Sequence, residues 1–277
     1  MTINPQACLE IAVAAARAAG GHAREQRHRR GEANQRLAHD VKLALDVECQ
    51  SIAEEILRSR APGYAILGEE STGDTKTADP DLPLWIIDPI DGTVNFSHGL
   101  PFWCCSIGIR LGACTLAGAV YAPDMNALYT ATADGPALCN GAPLRVSSIA
   151  AVSEALIMTG LDKQMDPRRP SFEVFRAISV QAQKTRIAGS AALDLCLVAS
   201  GQADAYFESG IYVWDIAAAA LIVERAGGRT GLLGELGDGR LRFLASNGLI
   251  HDALREIIVK PSQNTQAEGF QTERKQH

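Results

Sequence analysis

Apolar residues recur at helical spacing from the start of the chain. They line one face of the segment 5–19, which predicts an opening helix that ends near Gly20 and Gly21. The same periodicity predicts a last helix ending near residue 259 and others over 46–58, 171–181, 191–200 and 216–226. The segment 24–36 is rich in arginine without apolar periodicity, so we expect a charged helix end or a surface loop there.

Short apolar runs between turn residues predict strands, and two of these runs stop beside acidic residues. The run 64–67 comes just before Glu69, and the run 84–87 just before Asp88. Three runs joined by short turns predict an antiparallel meander over 106–111, 116–121 and 127–132. Single strands are further predicted at 156–159, 205–208 and 243–245.

The composition is that of a globular protein. Of 277 residues, 47% are hydrophobic and 21% are charged, which is enough to bury a sizeable core. Lys and Arg number 26 against 32 Asp and Glu, and this net charge of -6 argues against a broad nucleic-acid footprint. The basic run 27–30 has no interleaved aromatic residues, so nucleic-acid binding is a weak alternative.

Cysteine use and hydropathy favour a cytoplasmic protein. The seven cysteines lack C-x-x-C spacing, so we expect buried free thiols rather than disulfides or a zinc ribbon. No apolar run approaches the length of a membrane span, and the first ten residues lack the features of a secretory signal. We therefore expect no membrane contact. The polar segment 261–277 is expected to be a disordered tail.

The most informative segment is 85–93, WIIDPIDGT, in which a hydrophobic strand leads into two carboxylates. We predict that Asp88 and Asp91 lie on a turn punctuated by Pro89 and Gly92, which lets both side chains converge. The alternative is that these aspartates cap a helix, as Asp often does. Converging carboxylates repel each other unless a cation neutralises them.

Two further acids at element ends favour a metal site over a structural role. Glu69 follows a predicted strand, and Asp215 stands at the start of an Ala-rich helix. Oxygen-only ligand sets suit hard cations, Mg²⁺ above all, with Mn²⁺ as a second possibility. Two such ions can activate water for phosphoryl displacement. Gly92 would let backbone N–H groups approach a phosphate closely.

These motifs resemble the inositol monophosphatase family of magnesium-dependent, lithium-sensitive phosphatases. The resemblance covers about residues 5–255, and its most specific motifs lie at 68–71, 85–96, 214–218 and 226–228, with weaker support at 189–192 and 245–248. It implies a sugar-phosphatase fold of the α/β class, with layers of helices and mainly antiparallel sheets. It further implies a homodimer whose chains each have two halves, 1–145 and 146–260, that share one active site.

The resemblance also implies the metal ligands. A first Mg²⁺ ion would be held by Glu69, Asp88 and the backbone carbonyl of Ile90. A second ion would be held by Asp88, Asp91 and Asp215, and a third, weakly held ion is known in such sites. Glu69 is in addition implied to be catalytic, and Asp215 to contact the substrate.

Other residues are implied to handle the water and the substrate. Thr93 and Asp46 would orient the attacking water, and the backbone N–H groups of Gly92 and Thr93 would bind the phosphate. Ala191 and Glu208 match positions that contact the alcohol part of the substrate. Two plain alternatives stay open: Asp46 caps its helix, and Glu208 is a solvated strand end.

The sequence departs from the family pattern at a few positions. Leu43 stands where members commonly have threonine, and Val94 replaces a second threonine after the Asp-Gly-Thr run. The loop ahead of Asp40 has Arg36 and His39 in place of the usual lysine. These differences bear on a third metal ion and leave the two-metal ligand set intact.

The expected function is metal-dependent hydrolysis of a small phosphate monoester, with inositol monophosphate as the first candidate. Histidinol phosphate, fructose 1,6-bisphosphate and 3'-phosphoadenosine nucleotides stay as alternatives, because the catalytic core does not separate them. A binding or regulatory module without catalysis is a further alternative, disfavoured because all four acidic ligands are present. We expect Asp91→Asn to cut turnover by orders of magnitude and to leave folding intact.

Overall fold

The computed structural model describes residues 3–36, 41–71, 79, 81–161 and 170–260. Its helices are α1 (Pro5–Glu25), α2 (Ala44–Arg60), α3 (Thr93–His98), α4 (Pro170–Gln181), α5 (Ala191–Ala199), α6 (Val213–Arg225) and α7 (His251–Val259). Short 3-10 helices lie at Arg27–Arg29 and Val152–Glu154. His39 and the predicted tail 261–277 lie outside the described residues.

The described strands form three sheets. A two-stranded ribbon pairs β1 (Ala33–Arg36) with β2 (Val41–Leu43). The largest sheet consists, in spatial order, of β3 (Ala65–Gly68), β4 (Pro83–Asp91), β5 (Cys104–Leu111), β6 (Cys114–Ala122), β7 (Ala127–Thr132), β8 (Leu138–Cys139) and β9 (Ala142–Pro143). The other sheet has β10 (Leu156–Thr159), β11 (Lys184–Arg186), β12 (Ala205–Ile211), β13 (Arg229–Gly237) and β14 (Arg240–Ser246), in the order β11-β10-β12-β14-β13.

Most neighbouring strands are antiparallel. The pairs β5-β6 and β6-β7 are both antiparallel, which confirms the predicted meander. Among the described strands, the parallel pairs are β3 with β4 and β10 with its two neighbours β11 and β12. The α/β class with mainly antiparallel sheets, expected from the sequence, is therefore confirmed.

Helices and sheets alternate in layers. Helices α1 and α2 cover one face of the large sheet through a core that includes Ala16, Leu57 and Trp85. Helices α5 and α6 fill the space between the two large sheets. The sheet that contains β10 has helices on both faces. Met158 of β10 packs toward α5 and α6, and its neighbour Ile157 packs toward α4 and α7 on the other face. The division into halves at residue 145 stays a prediction.

The first helix is longer than predicted. It does not end near Gly20 and Gly21 but continues to Glu25. At Gly20 an added Cβ would lie only 3.0 Å from the Tyr121 Cδ1 atom of β6. A glycine here therefore serves close helix-to-sheet packing and does not end the helix, a use that a sequence pattern does not distinguish.

The basic segment that follows is more ordered than predicted. Beyond the short helical turn at Arg27–Arg29, β1 pairs antiparallel with β2, where only a helix end or a loop was expected. The strands β8, β9, β11 and β13 were not predicted either. Most are only two or three residues long, and β13 is largely exposed and contains several glycines, so its hydrophobic pattern is weak.

The cysteines are all free thiols, as expected. Five of the seven are buried, while Cys114 is exposed and Cys139 is partly exposed, so the prediction of burial is wrong for these two. Within the described ranges, none of the helices combines the length and the apolar character that a membrane crossing requires.

We predict that Gly118→Ala destabilises the fold, because Gly118 of β6 lets α6 approach closely. A Cβ at this position would lie 2.8 Å from the Cα and carbonyl oxygen atoms of Ala218. Because these are backbone atoms, the helix itself would have to shift to make room. Overpacking of this kind costs about 1–3 kcal/mol, which chemical denaturation measures. The matched control is Gly21→Ala, where a Cβ meets nothing within 4 Å and helix propensity should add about 1 kcal/mol. Equal unfolding free energies of Gly118→Ala and the wild type would contradict this packing.

Candidate metal centre and substrate pocket

The end of β4 supplies two of the acidic side chains. Asp88 and Asp91 lie within β4 itself, so the predicted turn between them is wrong. In the pairing with β5, Asp88 is opposite Ser106 and Asp91 is opposite Cys104, which leaves one extra residue on β4. Residues three apart on a regular strand face opposite sides, and a bulge of one residue brings them to the same side. The bulge thus makes the two carboxylates converge.

A third carboxylate comes from the first turn of α6. The Oδ2 atom of Asp215 accepts a hydrogen bond from the backbone N–H of Tyr212 at 2.8 Å. Asp88, Asp91 and Asp215 each offer a carboxylate oxygen, and these oxygens lie within 4.8 Å of one another. Such an oxygen-only set suits a hard divalent cation.

The N-terminus of α5 fixes Asp91. Its Oδ2 accepts hydrogen bonds from the Ser190 hydroxyl at 2.6 Å and the Ala192 N–H at 2.7 Å, and its Oδ1 accepts one from the Ala191 N–H at 3.2 Å. Burial raises the pKa of Asp91, and these hydrogen bonds oppose that increase. In Asp91→Asn an amide NH₂ would face these donors. The expectation that this substitution leaves folding intact therefore does not fit the structure.

Asp88 is buried among like charges. Its side chain is 1% exposed, and its Oδ1 atom has no hydrogen-bond partner among the described residues. Burial raises the pKa of Asp88 well above its usual range, and the charges of Glu69 and Asp91 raise it further. A bound cation would give the unpartnered oxygen a ligand and would offset the repulsion. The residues present therefore fit a metal ion.

Glu69 reaches the same site from the end of β3. Its backbone N–H donates to the Ile87 carbonyl at 3.1 Å, which extends the pairing of β3 with β4. Gln50 of α2 holds the next residue, since its Oε1 accepts a hydrogen bond from the Glu70 N–H at 2.9 Å. Glu70 in turn pairs with Lys42 at 2.9 Å. Of these two adjacent acids, Glu69 is the one that lines the pocket.

Asp46 lies in the first turn of α2. Its Oδ2 accepts a hydrogen bond from the Leu43 N–H at 2.8 Å, so the helix-capping alternative is confirmed for this oxygen. The Oδ1 atom is buried without a hydrogen-bond partner in the described part of the chain. Burial, followed by the charge of Glu69, raises the pKa of Asp46 to about 8. Asp46 is the one predicted site residue that does not line the pocket.

The carboxylates open onto a cavity of about 260 Å³. The predicted site residues that line it are Glu69, Asp88, Ile90, Asp91, Gly92, Thr93, Ala191, Glu208 and Asp215. Gly92 has a φ of +91° and joins β4 to α3, and a Cβ there would lie 3.1 Å from the Phe102 carbonyl oxygen. Both the positive φ and the lack of space for a Cβ require a glycine at this turn along the cavity wall. The hydroxyl of the next residue, Thr93, donates a hydrogen bond to the Ile90 carbonyl at 2.9 Å.

Glu208 of β12 also lines this cavity. It accepts a hydrogen bond from the Tyr206 hydroxyl at 2.6 Å. Its carboxylate occupies the space beside Gly160, where an added Cβ would collide with it. Glu208 is only partly exposed, so the alternative of a solvated strand end is wrong.

Sequence reasoning misses one acid in this cavity, Asp194 of α5. The side chain is 2% exposed, and its Oδ1 atom has no hydrogen-bond partner among the residues described. Burial raises the pKa of Asp194 to about 9, and the charges of Asp91 and Glu208 add to the effect. The signal that could have marked it is a lone acid in an otherwise apolar helix.

A layered α/β fold with a cavity of converging carboxylates fits the class of metal-dependent phosphoric monoester hydrolases, whose chemistry uses divalent cations held by such groups. Comparison with known proteins agrees. The model of the "Inositol monophosphatase family" matches residues 4–267. The chain belongs to the inositol monophosphatase family.

Individual relatives support the same assignment. The chain is 37% identical to an inositol monophosphatase of Mesembryanthemum crystallinum over 226 residues, 79% of this chain and 83% of that protein. It is 39% identical to the Nus factor SuhB of Haemophilus influenzae over 229 residues, 82% of this chain and 84% of that protein. The solved structure of an inositol monophosphatase from Anabaena (Nostoc) has a TM-score of 0.81 and 33% identity, covering 93% of this chain and 97% of its own.

We predict that Mg²⁺ raises the melting temperature of the wild type and does so much less for Asp88→Asn. A ligand at about 100 times its Kd adds about 2.7 kcal/mol to stability, and the substitution removes a shared carboxylate. Thermal unfolding with EDTA and with excess MgCl₂ measures the difference. In EDTA the variant should be at least as stable as the wild type, because the Oδ1 atom of Asp88 is then buried without a partner among the described residues.

The control for this experiment is Asp134→Asn, which changes an exposed acid in a turn outside the cavity. It should keep the full Mg²⁺-dependent shift of the wild type. A shift in Asp88→Asn as large as in the control would contradict the metal site.

Proposed function

We propose that this protein hydrolyses a small phosphate monoester, inositol monophosphate first among the candidates, with Mg²⁺ as its cofactor. The observation that carries the proposal is the convergence of Glu69, Asp88, Asp91 and Asp215 on one cavity. Relatives named inositol monophosphatase favour this substrate over histidinol phosphate, fructose 1,6-bisphosphate or adenosine nucleotides. Because all of these acids are present, a purely binding module is a weaker alternative.

The acidic residues explain why the reaction needs metal. A cavity lined by carboxylates repels a phosphate dianion, and divalent cations reverse the sign of the local field. When bound, such ions activate water and stabilise the leaving oxygen. Glu69, Asp88 and the Ile90 carbonyl would hold one ion, and Asp88, Asp91 and Asp215 the other. The Ile90 carbonyl oxygen accepts a hydrogen bond from the Thr93 hydroxyl, and its second lone pair could bind the metal ion.

Water and phosphate would be positioned around the first turn of α3. Thr93 and Asp46 are proposed to orient the attacking water, with Glu69 assisting. The Oδ1 atom of Asp46 is buried and lacks a partner among the described residues, which leaves it available. The backbone N–H groups of Gly92 and Thr93 would bind the phosphate, and both residues line the cavity.

The alcohol part of the substrate would face α5 and β12. Ala191 and Glu208 are proposed to contact it, with Asp215 at the edge of the same space. Asp194 adds a buried acid to the lining of the same cavity, and burial raises its pKa. Together Glu208 and Asp194 offer carboxyl groups that suit a substrate with several hydroxyl groups.

Further parts of the proposal rest on family resemblance. They include two or three Mg²⁺ ions, Mn²⁺ as a substitute, lithium sensitivity and a homodimer. They also include a cytoplasmic location with no nucleic-acid or membrane partner. The departures at Leu43 and Val94 are proposed to affect only the third, weakly held ion.

We predict that Asp215→Asn lowers kcat/KM for inositol 1-phosphate by at least about a hundredfold, because it removes a ligand charge. The fold should persist, since the amide oxygen can accept the same hydrogen bond from Tyr212. This makes Asp215 a cleaner test than Asp91. Phosphate release with and without Mg²⁺ measures the effect, and circular dichroism checks folding.

The matched control is Asp252→Asn, which changes an acid in the first turn of α7 that is 76% exposed and outside the cavity. It should retain the activity of the wild type. A panel of inositol, histidinol, sugar and nucleotide phosphates tests the substrate. No Mg²⁺-dependent phosphate release from any member would reject the proposed function, and a clearly faster rate on another member would reject inositol monophosphate.

A further inference from the structure

A second cavity lies between the end of α1 and the segment 96–103. Its volume is about 390 Å³, and its rim carries Arg24, Arg27 and Arg30, which are spaced three residues apart around the end of α1. Phe96, Gly99, Leu100, Trp103 and Asp124 complete the lining. This cavity and the acidic one have no lining residue in common.

The pairing of these arginines differs from that of their neighbour Arg29. Arg29 donates to the two carboxylate oxygens of Glu48 at 3.0 and 2.7 Å and is also paired with Glu32, so its charge is already used within the fold. Arg27 and Arg30 have no carboxylate partner among the described residues. Two guanidinium groups thus remain available on one cavity, in a chain whose net charge is -6.

The third arginine and the one acid of the cavity largely satisfy each other. Asp124 pairs with the Arg24 Nε atom at 3.6 Å and accepts a hydrogen bond from the Trp103 indole N–H at 2.8 Å. Counting Arg24, Arg27 and Arg30 against Asp124, the lining carries a net charge of +2 (3 - 1). The acid therefore does not cancel the charge of the other two arginines.

The floor of the cavity holds Arg30 close to the backbone. A Cβ at Gly99 would lie 2.8 Å from the Nη1 atom of Arg30. The guanidinium group therefore occupies space that a side chain at position 99 would fill. Gly99 has a φ of +79°, which also favours glycine. Phe96 and Trp103 meet edge to face with ring centroids 4.8 Å apart and form a rigid base. Arg30 is thus positioned over packed residues.

We propose that this arginine cavity binds a small, multiply charged phosphate-bearing anion of the pyrophosphate class. Guanidinium groups match phosphate oxygens through paired N–H donors, and two of them suit two phosphoryl groups better than one. Phe96 and Trp103 are only 2% and 1% exposed, so neither offers a face on which a nucleic-acid base could stack. This observation favours a compact anion over single-stranded RNA.

The test is calorimetric titration of the full chain with sodium pyrophosphate in EDTA, where the acidic cavity has no cation with which to attract an anion. We expect a single site whose affinity falls at least tenfold in Arg27→Gln/Arg30→Gln. The matched control is Arg58→Gln/Arg60→Gln, with the same loss of charge at the exposed end of α2. The control should bind as the wild type does.

Two further measurements separate loss of the site from loss of folding and from the proposed function. Arg27→Gln alone removes an exposed side chain that has no ion-pair partner in the described part of the chain, and it should weaken binding severalfold even if the double variant folds poorly. Mg²⁺-dependent phosphatase activity of Arg27→Gln should stay at the wild-type level, which separates this site from the proposed function. The proposal is overturned by no pyrophosphate binding, by equal losses in both double variants, or by binding of an oligouridylate but not pyrophosphate.

Discussion

The structure depends on the electrostatic conflict among carboxylates that are brought together out of water. Asp88, Asp91 and Asp215 offer oxygens within 4.8 Å of one another, and Asp88 is buried with an unpartnered oxygen within the described structure. Burying ionised groups without partners is costly, so the fold has to compensate for this arrangement elsewhere. A divalent cation resolves the conflict and at the same time makes the cavity attractive to phosphate. Stability and chemistry are linked in this way.

Three separate structural devices hold the acids in place. The one-residue bulge in β4 turns Asp88 and Asp91 to the same side. The N-terminus of α5 donates three hydrogen bonds to Asp91, and the backbone N–H of Tyr212, at the start of α6, donates one to Asp215. Glycine at position 118 lets α6 lie against the large sheet, so the packing one turn after Asp215 helps to set the position of this acid.

Much of the fold could be predicted from the sequence, because the periodicity of apolar residues is strong in the buried helices and in the β5 to β7 meander. The bulge could not be predicted, since it exists only in the register of β4 against β5, and Asp-Pro-Ile-Asp-Gly by itself looks like a turn. Asp194 was missed because its burial arises from tertiary packing. In the sequence, the arginines of the second cavity form only a basic run. Gly99 and Trp103 are distant in sequence and approach these arginines only in the folded chain.

The most direct test of the metal centre is anomalous diffraction from crystals grown with Mn²⁺, which scatters strongly and accepts the same oxygen ligands as Mg²⁺. We expect an anomalous peak within coordination distance of carboxylate oxygens of Asp88, Asp91 and Asp215. Crystals that contain Mn²⁺ at saturating concentration but show no peak between these three carboxylates would contradict it.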